Sequence, residues 1–237
     1  KPQAGRLRQH HQFGVEIFGT KEPLAEIEVI TLLMDLFKAL GIQTAKLHIN
    51  SIGCPVCRAD YNAALKAYLN QYKEQLCETC RDRLDKNPMR IIDCKVPSCK
   101  AIVKDAPRAM DYLDEDCKLH FESLKGLLEA LNIPYEIDAD IVRGFDYYTN
   151  TVFEFIDKEG MTICGGGRYD NLIHEISGKD VPAVGFGIGI ERIMVALERE
   201  GINLMDEAVP EIFVGIMGKE VAPKVYSIVH ALRTEGI

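Results

Sequence analysis

The sequence predicts an α+β fold: an antiparallel sheet flanked by helices, interrupted by a helical, cysteine-rich insertion. Three observations carry this. Thr151–Ile156 alternates, with Val152 and Glu154 on one face and Phe153 and Phe155 on the other; Lys158-Glu159-Gly160 supplies a turn, and Met161–Cys164 returns as its partner strand. Phe13–Ile17 and Ala183–Gly189 alternate in the same way. Between these strands the apolar residues change to helical spacing, over 23–40, 59–76 and 116–131.

The chain of 237 residues is long enough for one large domain or one and a half, with a real core. No apolar run reaches membrane-spanning length, and KPQAGRLRQHHQ at the start lacks an apolar signal core, so no membrane association and a cytoplasmic location are expected. A net charge of −8 argues against unspecific coating of nucleic acid, although phosphate contacts depend only on local charge. Eight cysteines without a signal peptide point to reduced thiols or metal rather than a disulfide framework.

In chain order, the first strand places Phe13, Val15 and Ile17 on one face and Gln12, Gly14 and Glu16 on the other. A glycine between two polar residues on one strand face leaves a recess with hydrogen-bonding walls. Pro23 suits a first helical turn, Leu24, Ile27, Ile30, Met34, Phe37 and Leu40 form the apolar stripe, and Gly41 is a stop. Lys46–Asn50, with Leu47 and Ile49 inward, reads as the next strand.

Residues 51–138 form the expected insertion. CPVC at Cys54–Cys57 and CETC at Cys77–Cys80 have the spacing of zinc ligands, because two thiolates two residues apart grip one tetrahedral ion. The helical stripe from Ala59 to Leu76 would separate these pairs by roughly 27 Å. A structural zinc set of Cys77, Cys80, Cys94 and Cys99 avoids that separation. Cys54 and Cys57 are the alternative pair, and buried, reduced thiols the bland reading. His120 reads as a helix-surface residue.

In the stretch from Arg143 to Asp170, the wording is more specific than the composition. RGFDYYTNTVFEF followed by GGGRYDNL resembles the two signature motifs of the histidyl-tRNA synthetase family, class II aminoacyl-tRNA synthetases. AVGFGIGIERIMVALERE resembles class II motif 3, and the N-terminal strand resembles the second half of motif 2. The glycine alternation in Gly185, Gly187 and Gly189 lacks the spacing of a dinucleotide or phosphate-binding loop.

The resemblance implies a class II catalytic core (residues 1–50 and 139–204), the insertion (51–138), and a linker with the first β-α unit of an anticodon-binding domain (205–237). In that last part Met205 to Pro210 reads as a linker, Glu211–Met217 as a strand and Val221–Leu232 as a helix. It implies ATP-dependent activation of L-histidine and its transfer to tRNA(His), with Mg²⁺, in a protein that is a homodimer at full length. Arg143 is the implied catalytic residue, bridging the histidine carboxylate and the α-phosphate; a guanidinium offers a rigid fork to both. Histidine binding is implied for Gln12, Glu16, Tyr147 and Tyr148, with Gly165 and Gly166 as the pocket floor; Cys164 and Asp170 read as structural. ATP binding is implied for Arg6, His10, Gly187, Gly189 and Arg192; at His10 the family usually has phenylalanine.

The motif 2 arginine would fall just before Lys1, and neither motif 1 nor a Glu-Gly-Thr histidine loop is found, so the chain is expected to be a fragment that activates histidine poorly by itself. A second reading is the non-catalytic, synthetase-like regulatory subunit of ATP phosphoribosyltransferase, which lacks the intact arginine and double-tyrosine signature. A third, a zinc-dependent interaction module, leaves Arg143 and the glycine face unexplained.

Overall fold

The computed structural model describes residues 8–143, 145–202 and 211–236, in two compact units divided after Ile202. In the first unit six strands form one sheet in the order β1 (Gln12–Phe18), β6 (Ala183–Gly189), β5 (Thr162–Arg168), β4 (Thr149–Ile156), β2 (Lys46–Ser51) and β3 (Tyr135–Ile137). Every neighbouring pair is antiparallel except β2 and β3 at the edge, which run parallel. The α+β class therefore holds, and the hairpin β4–β5 lies at its centre.

The register explains the alternation seen in sequence. Phe153 of β4 stands beside Gly166 of β5, which stands beside Phe186 of β6, and Val15 of β1 completes the row. This face is the core: Ile49, Phe153, Phe155, Cys164, Val184 and Ile188 are buried under α1 (Leu24–Leu40), α5 (Glu115–Ala130) and α7 (Ile190–Arg199). Each fully buried large side chain there contributes about 1.5–3 kcal/mol. The opposite face carries Gln12, Gly14 and Glu16 beside Gly189, Gly187 and Gly185.

The helix α1 ends where expected, with Gly41 left-handed at φ 80°. Of its predicted stripe, Ile27, Ile30 and Phe37 are buried and Met34 and Leu40 pack on the core, while Leu24 is exposed; Ala25, Glu26, Val29 and Leu33 are buried beside them. The inward Glu26 is paired. Arg168, fully buried at the end of β5, donates through Nε to Glu26 Oε1 at 3.0 Å and through Nη2 to Oε2. Its Nη1 donates to Thr20 O at 2.8 Å and Asp170 Oδ1 at 3.1 Å, and Nη2 also donates to Glu22 O. Asp170 is structural in this sense, as is the buried Cys164. His120 is not a surface residue; it is mostly buried on α5 with its Nε2 against Glu26 Oε1, so one carboxylate ties α1 to both β5 and α5.

The insertion has its own small core around Tyr61, Leu65, Leu69, Leu84, Ile91 and Cys99. It is built from α2 (Pro55–Asn70), α3 (Glu78–Lys86) and α4 (Pro97–Val103), with short 3₁₀ turns between them. The predicted helical stripe to Leu76 breaks after Asn70, and Lys73–Gln75 forms a 3₁₀ turn instead. The elements at the end of the predicted insertion lie elsewhere: α5 packs Phe121, Leu124 and Leu128 into the main core, and β3 joins the main sheet.

The helix α6 (Leu172–Ser177) completes the first unit. In the second, the helix predicted for 221–232 is present as α8 (Ala222–Thr234). The strand predicted at Glu211–Met217 is absent: among the described residues it has no neighbouring strand to pair with, and Phe213 and Met217 are exposed. The predicted linker from Met205 to Pro210 lies outside the described residues.

Candidate active site

On the open sheet face three glycines each lie beneath a functional side chain from a neighbouring segment. A Cβ on Gly185 would collide with the Glu16 carboxylate, one on Gly187 with the Gln12 amide, and one on Gly165 with the Arg143 guanidinium. Bare backbone lets these side chains lie flat across the sheet. Gln12, Gly14, Glu16, Gly185 and Gly187 form the floor of a cleft of about 480 Å³, and Tyr147, Tyr148, Tyr169 and Leu172 form its wall.

The polar end of the cleft is built around Glu16. Tyr169 donates its hydroxyl to Glu16 Oε2. Burial, and then the adjacent Glu16 carboxylate, push the Tyr169 phenol well up, so it stays a proton donor at neutral pH. Tyr147 packs edge-on to Tyr169 at 5.7 Å and tilted against Tyr148 at 4.5 Å; its phenol too is pushed up by burial and by its hydrogen bond with Tyr148. A fixed carboxylate among protonated phenols can read a small planar group with a donor and an acceptor, such as imidazole, and strongly disfavours apolar isosteres.

Arg143 stands beside this cleft, over Gly165 and with its guanidinium 5.6 Å from the Tyr148 ring centroid. Its Nη1 donates to Glu154 Oε1, while Thr162 Oγ1 donates to Glu154 Oε2 at 2.8 Å. Arg192, in the first turn of α7, donates through Nη1 to the backbone carbonyl of that same Thr162. The two arginines are thus linked through Glu154 and Thr162. Among the described residues, the buried Nε of Arg143 has no hydrogen-bond partner. Two cations along one sheet face suit a phosphate-bearing ligand.

The structure brings Gln12, Glu16, Tyr147, Tyr148 and Gly187 into one cleft and places Gly165 under Arg143. Gly189 lies next to Arg192. Gly166 is a correction: strand alternation turns it to the core face, where a Cβ would meet Gly185 O, Phe153 and Phe186, so it cannot share a floor with Gly165. His10 is exposed and does not line the cleft; its neighbour His11 instead binds Glu191 through backbone N at 2.9 Å and Nδ1 at 2.8 Å. Arg6 lies outside the described residues. Tyr169, Glu154 and Thr162 were missed, although the same alternation puts Tyr169 on the face of Gly165 and Gly167, and Glu154 directly across from Gly165.

The insertion touches the site from behind. Arg58 Nη1 donates to Asp146 O at 2.8 Å, Asn87 donates to the Asp146 carboxylate, and Met89 packs against the cluster holding Tyr147 and Tyr148. All the cysteines except Cys164 fall into two groups, each with ligand atoms within 4.8 Å of one another: Cys77, Cys80, Cys94 and Cys99, and Cys54, Cys57 and Cys117 with Asp114. Cys54 and Cys57 therefore do not pair with Cys77 and Cys80; α2 runs about 24 Å between them.

The glycines make a paired prediction. Gly187→Ala should leave the thermal midpoint within a few degrees while weakening ligand binding roughly tenfold, because the methyl group meets only the flexible Gln12 side chain and displaces it. Gly166→Ala should instead lower the midpoint, because overpacking against backbone and ring atoms costs about 1–3 kcal/mol of stability. Differential scanning fluorimetry with ligand titration separates the two.

The chain has relatives among known proteins. The family described as "Histidyl-tRNA synthetase" matches residues 1–193. A curated histidine–tRNA ligase of Clostridium botulinum is 54% identical over 235 residues, covering 99% of this chain and 56% of the relative. The solved apo histidyl-tRNA synthetase of Staphylococcus aureus superposes with a TM-score of 0.69 at 36% identity, over 97% of this chain and 57% of that one. A Bacillus halodurans structure titled as an ATP phosphoribosyltransferase regulatory subunit/histidyl-tRNA synthetase gives a TM-score of 0.53 at 19% identity, over 96% of this chain and 61% of that one, a likeness of fold alone. The chain thus spans a little over half the length of the relatives it matches.

Proposed function

The chain belongs to the histidyl-tRNA synthetase family, and on that premise we propose that it provides the histidine- and ATP-binding part of a histidine–tRNA ligase. The observation that carries the reading is the Glu16–Tyr169 pair at one end of a cleft that has Arg143 beside it on the same sheet face.

In this reading the imidazole enters among Tyr147, Tyr148 and Tyr169 and bonds to Glu16, while Gln12 orients the amino acid. Its carboxylate attacks the α-phosphorus of ATP, pyrophosphate leaves, and negative charge builds on the phosphorus oxygens. Arg143 answers that charge through its guanidinium, held in place by Glu154. Arg192, with Gly187 and Gly189 giving the nucleotide a flat approach, serves the ATP side; Arg6 and His10 keep the ATP role proposed from the resemblance. Mg²⁺ would shield the phosphates, and it enters with ATP: Glu154, the carboxylate beside Arg143, already accepts from Arg143 and Thr162. The adenylate then passes histidine to tRNA(His), with a second copy of the full-length protein as its dimer partner in the cytoplasm.

The sulfurs of Cys77, Cys80, Cys94 and Cys99 fit a structural zinc ion. Cys77 and Cys94 Sγ are 3.9 Å apart, against about 3.8 Å for ligands on a tetrahedron of 2.3 Å bonds. Zinc there would staple α3 to α4 inside the insertion's core.

The test is pyrophosphate–ATP exchange by the full-length protein. Exchange that requires histidine and proceeds without tRNA is expected. Histidine binding without exchange would overturn the reading in favour of a regulatory protein of the same fold.

A further inference from the structure

A second cysteine group lies away from the cleft and outside the insertion's core, and the proposed reaction does not use it. Cys54 and Cys57 open α2, and Asp114 and Cys117 open α5. Cys54 Sγ lies 3.5 Å from Cys57 Sγ and 3.3 Å from Asp114 Oδ2, and Cys57 Sγ lies 3.8 Å from Cys117 Sγ. On a tetrahedral zinc ion, sulfur ligands sit about 3.8 Å apart, and sulfur and oxygen about 3.5 Å. Three of the six separations lie close to these values, and all four ligand atoms are within 4.8 Å of one another.

We propose that Cys54, Cys57, Cys117 and Asp114 form a second zinc centre, at the joint between the insertion and the sheet.

The surroundings suit thiolates. Two helix N-termini converge on the group, and their partial positive charge favours anionic ligands. The backbone N–H of Asp114 donates to Cys57 Sγ at 3.1 Å, a bond that persists when sulfur binds metal. Asp114 divides its oxygens: Oδ1 caps α5 by accepting from Cys117 N at 2.8 Å, and Oδ2 faces the sulfurs. Binding Zn²⁺ would release one proton from each thiol to solvent. Cys117 Sγ now donates to Asn150 Oδ1 at 3.0 Å; as a thiolate it would accept from the same amide after a flip.

The position gives the centre a purpose. Gly53 leads from β2 directly into Cys54, and its carbonyl accepts from Asn150 N at 2.9 Å. Asn150 follows Tyr148 by two residues and adopts a left-handed φ of 50°. A metal here ties the start of the insertion, its return into α5 and the start of β4, directly after the tyrosine pair, at one point. Zinc loss should therefore loosen the tyrosine wall as well as the insertion.

The test is the zinc content of the untagged chain, purified with zinc and desalted, by native mass spectrometry. About two zinc ions per chain are expected, one for each group. A variant carrying Cys54→Ser and Cys117→Ser should lose one; one carrying Cys77→Ser and Cys94→Ser should keep one. The count on the unmutated chain decides even if a variant does not fold, because X-ray absorption should then give about 3.5 sulfurs per zinc rather than about 4. A single zinc that survives the Cys54/Cys117 replacements, no zinc at all, or a Cys54–Cys57 disulfide in the untreated protein would overturn the proposal. A single zinc that those replacements remove would support it.

Discussion

Replacing Glu26 with alanine should lower the chain's unfolding free energy by about 3–5 kcal/mol, because it leaves a fully buried guanidinium without its counter-charge. Arg168 is 0% exposed and spends its donors on Glu26, Asp170 and two backbone carbonyls. Removing Glu26 takes both carboxylate oxygens away and frees His120 as well. Replacing the pair together, Glu26→Met with Arg168→Met, should cost less than Glu26→Ala alone. The same pair gives a pH dependence. Burial works against the ionised Glu26, but hydrogen bonds from His120 and Arg168 and their charges outweigh it, so its carboxyl is held below its ordinary 4.5. A depressed folded-state value stabilises the fold above about pH 4.5 and loses that contribution as pH falls through the folded value. Urea midpoints should drop on acidification through this window, and less so in Glu26→Gln. A midpoint unchanged in Glu26→Ala would refute the network's role.

Arg143→Ala in the full-length protein should slow adenylate formation by about 10²–10³-fold while leaving the histidine KM within a few-fold. The guanidinium's contact to the histidine carboxylate adds about a few-fold to binding, whereas the charge on the phosphorus oxygens builds as the phosphorus is attacked, so most of its loss falls on kcat. Lysine should not restore the rate, since a point charge on a flexible stem cannot keep the contact to Glu154 and also present a fork to phosphate and carboxylate. Single-turnover measurement of adenylate separates this step from transfer to tRNA. An equal rise in KM with kcat intact would make Arg143 a binding residue only.

Much of this site was legible because strand alternation is rigid. Once Gln12 and Glu16 share a face, and Gly185 and Gly187 another, antiparallel pairing places them together, and the register does so. The same rule, applied further, would have excluded Gly166 and found Tyr169. What sequence could not give was the third dimension. Glu26 looked like a polar residue beside an apolar stripe, yet a buried arginine 142 positions away turns it inward. Cys117 and Asp114 lay far from the CxxC pairs, and only the folding of α5 back onto the main core brings them to Cys57. The strand foreseen at 211–217 failed for the opposite reason: local pattern makes a strand only where another strand can share its hydrogen bonds.

The most direct test of the central claim, a preformed imidazole pocket with a carboxylate-binding arginine beside it, is calorimetric titration of this chain with histidine and with histidinol, which lacks the carboxylate. The account predicts that both bind, histidine more tightly, and that Arg143→Ala removes the difference while Glu16→Gln weakens both. Binding of neither ligand, or equal binding of both by the unaltered chain, would contradict it.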